Sequence, residues 1–193
     1  MKKIVVLVSG GGTNLQALID HEFKSAYIAA VISSKGDAYA LTRAKNAGIK
    51  TDIVEKKAFS DNDDYQAALL EKLKVYSPDL IVLAGFMSII SEEIINNFRD
   101  KIINIHPSLI PSFCGDGFYG LRVHKAALEK GVKVTGATTH FVNEITDGGR
   151  IIMQKAIEVL DDDTAESLQK RVMEEAEWKI LPLSVEKILG GLE

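Results

Sequence analysis

The chain has 193 residues, 46% of them hydrophobic and 26% charged, which suits one soluble domain with a sizeable core. A net charge of −4 argues against a dedicated nucleic-acid or membrane-surface binder, and the apolar runs are strand-sized, well short of the roughly 20 residues that cross a bilayer. Gly10, Gly11 and Gly12 interrupt the first apolar run too early for a signal peptide, and a lone cysteine, Cys114, cannot form an internal disulfide, so the expected compartment is the cytoplasm. Residues 3–8 form a continuous apolar run, the pattern of a strand covered on both faces. A short helix over 13–21 carries Leu15, Leu18 and Ile19 on one side, followed by a strand over 27–32, a helix over 38–47 closed by Gly48, and a strand over 51–55. The helix over 61–76 turns Leu69, Leu70 and Leu73 inward, and the strand over 80–84, the most hydrophobic, is expected at the centre of the sheet. A helix over 91–98 has Ser91 as its N-cap ahead of Glu92 and Glu93, and a strand over 100–106 comes next. Residues 107–120 read as a loop and 121–130 as a helix closed by Gly131. Two antiparallel strands over 134–142 and 150–159 are joined by a turn at 143–149. A terminal helical region spans 164–189, with Thr164 as N-cap and a break or kink at Pro182. Strand–helix alternation implies parallel pairing with right-handed crossovers. The expected fold is a single-domain α/β, Rossmann-like open sheet over residues 1–193. It is mostly parallel, with a C-terminal antiparallel addition and helices on both faces.

Three local patterns carry chemistry. In the run Asn104-Ile-His-Pro107, strand alternation puts Asn104 and His106 on one face at a strand end, where open α/β sheets place their active sites. An Asn amide can donate to a developing oxyanion and His can exchange a proton near neutral pH; the same pair can equally serve only to tie down the following loop. The turn Ser9-Gly10-Gly11-Gly12-Thr13-Asn14 joins the first strand to the first helix. Its glycines let the backbone approach a ligand, and the helix start offers unpaired N–H groups, so a phosphate is the expected occupant. Leu15 stands where a dinucleotide fingerprint needs its third glycine, Ser33-Ser34-Lys35 offers no acid for a ribose, and no Lys-Ser/Thr follows the glycines. Asp147-Gly148-Gly149 is a turn sequence; beside His106 its carboxylate would raise the histidine pKa and keep a proton available near pH 7.

Taken together, Ser9 to Gln16, Leu83-Ala-Gly-Phe-Met87, Asn104 to Pro111, Gly136 to Val142 and Asp147 to Gly149 resemble the glycinamide ribonucleotide formyltransferase family of purine biosynthesis and one-carbon metabolism, over nearly the whole chain. The resemblance implies transfer of a formyl group from 10-formyltetrahydrofolate, a co-substrate, to the amine of glycinamide ribonucleotide, with no metal. It implies Asn104, His106 and Asp147 as catalytic residues. Gly12, Thr13, Asn14 and Glu177 would bind the ribonucleotide, and Met87, Ser88, Ile89, Ile90 and Asn104 would line the folate pocket. The nucleotide half would be about 1–100 and the folate half about 80–193. The implied partners are these two small molecules, with no nucleic acid or membrane, in a monomer or homodimer.

The chain departs from the family pattern in places. Ser88 and Asn62 stand at or near positions that carry arginine in related enzymes, so the preference for folate glutamate tails is expected to differ. The loop Phe113 to Gly120 is longer than the common form and is expected to help close the site, and Arg122 replaces a frequent histidine. Cys114 reads as a plain loop cysteine, His124 as a helix cap, His140 as a hydrogen-bonded structural histidine and Trp178 as a packing residue. Another formyltetrahydrofolate-dependent transferase or hydrolase would share the Asn, His and Asp; a non-catalytic nucleotide-binding module is the alternative from outside enzymology.

Overall fold

A computed structural model describes residues 1–190; positions 191–193 of the expected 1–193 domain lie outside the described residues. Seven strands form one sheet in the order β3-β2-β1-β4-β5-β6-β7. The strands are β1 (Lys2–Val8), β2 (Ala26–Ser33), β3 (Lys50–Ile53), β4 (Leu80–Leu83), β5 (Ile102–His106), β6 (Val134–Phe141) and β7 (Ile151–Glu158). The first five pair in parallel, while β6 runs antiparallel to both β5 and β7. The expected α/β class, the antiparallel addition and the central place of β4 all hold.

Alternation along β1 divides the core in two. Ile4, Val6 and Val8 face one layer, with α1 (Thr13–Ile19), α2 (Tyr39–Asn46), α5 (Leu121–Lys130), α6 (Ala165–Val172) and α7 (Trp178–Leu189) contributing apolar side chains. Val5 and Leu7 face the other, covered by α3 (Asn62–Tyr76) and α4 (Glu92–Asn97). Both faces of β1 and β4 are therefore buried, which is why these strands are apolar throughout. Ser91 caps α4 by accepting from the Ile94 N–H, and Thr164 caps α6 in a reciprocal box with Ser167, as the cap signals require.

Pro182 does not end the terminal helix, contrary to the expectation from its ring. It sits inside α7, and the departure from α geometry comes earlier, in one π-turn over Met173–Glu177. The structure thus places the irregular turn where Glu177 leaves the polar face and goes into the protein. Because β1 and β4 are neighbours whose following helices pack on opposite faces, a crevice opens beyond their C-terminal ends.

Candidate active site

Ser9, at the end of β1, ties three segments together at that crevice. Its Oγ lies 2.6 Å from Ser34 Oγ just past the end of β2 and accepts from the Met87 N–H at 2.9 Å. The segment after β4 is fixed from below by buried Gln66 on α3, which donates to the Ile89 carbonyl and accepts from the Ser91 N–H. Met87 and Ile89 are held exposed at the mouth of a cavity of about 620 Å³, and Ser88 and Ile90 also line it. The same cavity reaches Asn14, Asn104, His106, Asp147 and Glu177.

On β5, Ile103 and Ile105 enter one core layer and Ile102 the other, so Asn104 and His106 share the opposite face, as alternation requires. Asn104 Nδ2 lies 3.2 Å from His140 Nε2, its cross-strand partner on β6. His140 Nδ1 is 2.9 Å from the Phe141 carbonyl; a carbonyl only accepts, so Nδ1 carries a proton, and Nε2 accepts from the Asn104 amide in the neutral ring and turns its proton toward Asp147 in the charged one. Sequence reasoning assigned His140 a structural role only. It is hydrogen-bonded and buried, and it also fixes the amide that faces the cavity.

His106 is 4% exposed, with Nδ1 3.4 Å from Asp147 Oδ2 and Nε2 2.9 Å from the Phe113 carbonyl. Asp147 sits in the β6–β7 connection in a left-handed conformation (φ 55°). Gly149 beside it has no room for a Cβ against the Phe141 carbonyl, which draws the connection tightly over the strand end. Its carboxylate does not cap its own turn. It reaches His106, lies 3.5 Å from His140 Nε2 and accepts from the Gly115 N–H at 2.9 Å. Burial opposes its charge, yet the contact with His140, the neighbouring His106 and the Gly115 amide hold its carboxyl below the ordinary carboxylate range.

The expected charged state of His106 near neutrality does not hold. Loss of hydration pushes His106 below the ordinary imidazole value, and Asp147 and the Phe113 carbonyl offset this only in part. The ring is therefore not kept charged near neutrality; its imidazolium, when formed, is the stronger acid for it.

Glu177 is 6% exposed, so it does not share the solvent face of Glu174 and Glu175. The Asn14 amide donates to it at 2.7 Å, and burial raises its carboxyl to about 7 against that hydrogen bond. Gly12 adopts φ 73°, and a Cβ there would stand 2.6 Å from Ala40 Cβ, so this glycine brings α1 against α2. Thr13 turns its hydroxyl toward Met173 Sδ and lines a second cavity beside α2 and α7 rather than the main one. Of the glycine-turn residues expected to act together, only Asn14 lines the main cavity.

The long loop does cover the site: Gly115 to Gly120 all line the cavity. Cys114 donates to the Pro111 carbonyl, and burial together with Asp147 pushes its thiol up, away from reactivity. His124 is not a helix cap. It is fully buried on α5 with both ring nitrogens unpartnered among the described residues, and burial, with His106 nearby, lowers it to about 4. Trp178 is half-buried among the second cavity's lining residues. Among the described residues no three His, Cys, Asp or Glu side chains are grouped to hold a metal, and no helix is long and apolar enough to cross a membrane.

Residues 2–185 match the formyl transferase family model. The chain is 43% identical over 194 residues to phosphoribosylglycinamide formyltransferase of Haemophilus influenzae, covering 99% of this chain and 89% of that protein. The chain belongs to the phosphoribosylglycinamide formyltransferase family. Another relative in sequence, the trifunctional purine biosynthetic protein adenosine-3 of Gallus gallus, is 42% identical over 98% of this chain, which spans only 18% of that longer protein. In structure, a glycinamide ribonucleotide transformylase 1 from Symbiobacterium toebii superposes with a TM-score of 0.92 at 41% identity, covering 99% of this chain and 89% of that one. The formyltransferase family resemblance drawn from Asn104 to Pro111 and the glycine turn is therefore correct, and it covers the cavity-lining segments as well as the sheet.

Proposed function

We propose that this chain transfers the formyl group of 10-formyltetrahydrofolate to the primary amine of glycinamide ribonucleotide, as a cytoplasmic enzyme of purine biosynthesis. The observation that carries the reading is the single cavity in which Asn104, His106 and Asp147 meet Asn14 and Glu177, in a chain of this family. In this reading the ribonucleotide occupies the half built by about residues 1–100, with the glycine turn at Gly12, Thr13 and Asn14 near its phosphate and Glu177 accepting from its hydroxyls. The folate lies along Met87, Ser88, Ile89 and Ile90 in the half formed by about 80–193.

The amine nitrogen bonds to the formyl carbon, and the carbonyl electron pair moves to oxygen. Asn104 has one N–H engaged by His140 and a second to give that oxyanion. As the bond from the carbon to the folate nitrogen breaks, His106 gives that nitrogen a proton; it recovers one from the amine, so the enzyme ends as it began. Asp147 works against the cost of charging a buried imidazole. The loop from Gly115 to Gly120 excludes water, which would otherwise compete with the amine for the formyl carbon.

Formyl transfer should be measured with 10-formyltetrahydrofolate in the presence and absence of glycinamide ribonucleotide. Turnover that needs the ribonucleotide supports the assignment; equal folate turnover without it makes the chain a hydrolase and overturns it.

A further inference from the structure

His106 is held by a partner that no side chain supplies. Its Nε2 lies 2.9 Å from the Phe113 carbonyl, and a carbonyl oxygen can only accept, so this nitrogen carries a proton whether the ring is neutral or charged. The other nitrogen, Nδ1, faces Asp147 Oδ2 at 3.4 Å. Phe113 is itself unusual: it takes φ 49°, a left-handed conformation that a bulky residue adopts only when its surroundings impose it. Two things impose it here. Its ring packs against the main core and meets Phe118 edge-on, and two residues further on the Gly115 N–H is held by Asp147. The loop thus grips both members of the His106–Asp147 pair, one through a carbonyl and one through an amide.

From this geometry we propose that the Phe113 main chain is a positioning element that locks the His106 proton on Nε2 and makes Nδ1 the nitrogen through which protons pass during formyl transfer. The inference rests on the reading of His106 as the acid. In the charged ring, Nδ1–H is the proton given to the departing folate nitrogen. In the neutral ring, the Nδ1 lone pair and the Asp147 carboxylate are two acceptors 3.4 Å apart, a site that calls for a shared N–H donor, and the attacking amine is one. One proton leaves Nδ1 as the carbon–nitrogen bond to folate breaks, and one returns from the amine that has bonded to the carbon. Nε2 keeps its proton throughout, so the ring need not turn between the two transfers.

The test is nitrogen NMR of ring-labelled histidines in the ligand-free protein, at a pH where His106 is neutral, assigned with His106→Gln. Wild type is expected to show protonated Nε2 and bare Nδ1. Two loop variants separate backbone conformation from side-chain packing. Phe113→Val keeps an apolar side chain but is hostile to positive φ, whereas Phe113→Asn loses the ring and tolerates it. Phe113→Val should give mixed tautomers and a turnover lower by roughly 10²-fold, as expected for a misplaced catalytic group, with the KM for ribonucleotide little changed. Phe113→Asn, though less stable, should keep the Nε2–H form and turn over at least about tenfold faster than Phe113→Val. A wild-type ring protonated on Nδ1, or a Phe113→Val protein with the wild-type tautomer, overturns the proposal. The tautomer is read without substrates, so a protein with Nε2–H locked and no formyl transfer would refute the assigned reaction and leave the lock standing.

Discussion

Glu177→Gln is expected to make the protein more stable at alkaline pH and hardly more stable at acid pH. Glu177 is buried in the π-turn, and among the described residues its charge is stabilised by the Asn14 amide. Its carboxyl rises from the ordinary 4.5 to about 7. A carboxyl raised in the folded state binds its proton more tightly there than in the unfolded chain. Its contribution is therefore fully present below about pH 4.5 and is lost as pH climbs through about 7. The rise corresponds to roughly 3 kcal/mol at the alkaline limit, of which roughly 2–3 kcal/mol falls between pH 5 and pH 9. A glutamine cannot ionise, yet its carbonyl still accepts from Asn14, and its amide can donate to Asn14 Oδ1, which is buried without a partner among the described residues. Urea denaturation of both proteins at pH 5 and pH 9 reads the effect directly. The variant should gain stability over wild type by that amount at the higher pH, while its KM for ribonucleotide rises because a neutral amide accepts sugar hydroxyls less strongly. An equal difference at both pH values would refute the reasoning, as would a wild type that gains on the variant with rising pH.

Asn104→Ala removes one oxyanion donor and should cut turnover by about 10²–10³-fold in steady-state assays, with the fold unchanged by circular dichroism. Asp147→Asn takes away the charge that offsets burial at His106, so the ring should titrate at lower pH than in wild type; an upward shift in its NMR titration would contradict the electrostatics described. Gly12→Ala forces a Cβ to 2.6 Å from Ala40 Cβ at a positive φ and should cost about 1–3 kcal/mol of stability in urea. Adding Ala40→Gly should restore only a minor part of that loss, since it removes the Cβ contact but leaves the 2.8 Å approach to the Ala40 Cα and the backbone strain.

What the sequence revealed about this site follows from which interactions are local. Alternation on β5 is a property of the strand itself, so Asn104 and His106 could be placed on one face before any partner was known. The apolar runs of β1 and β4 announced a doubly covered sheet for the same reason. Asp147 was legible as a turn residue, whereas its reach to His106, His140 and the Gly115 amide depends on how the β6–β7 connection folds over β5. The direction of the His106 titration was misjudged because a carboxylate neighbour can be guessed from motif and burial cannot. His140 and Phe113 act through a ring nitrogen and a main-chain carbonyl, which no residue pattern marks. Pro182 looked like the helix breaker, yet the irregular turn lies before it. A usable signal was overlooked in that helix: Gln169, Met173 and Glu177 recur every four residues and all line the cavity, a second stripe beside the apolar one through Leu168, Val172 and Ala176.

The Asn14–Glu177 hydrogen bond joins residues 163 positions apart in the chain. A wall of the cavity therefore does not exist until the last helix has docked against the first. During synthesis the chain can build its parallel sheet while still unable to hold a ligand that bridges these two residues. In the finished protein, such a ligand fastens the C-terminal helix to the N-terminal turn. At a hundred times its dissociation constant it adds about 2.7 kcal/mol to the stability of everything between them. Substrate supply and resistance to unfolding are in this way one property of the molecule.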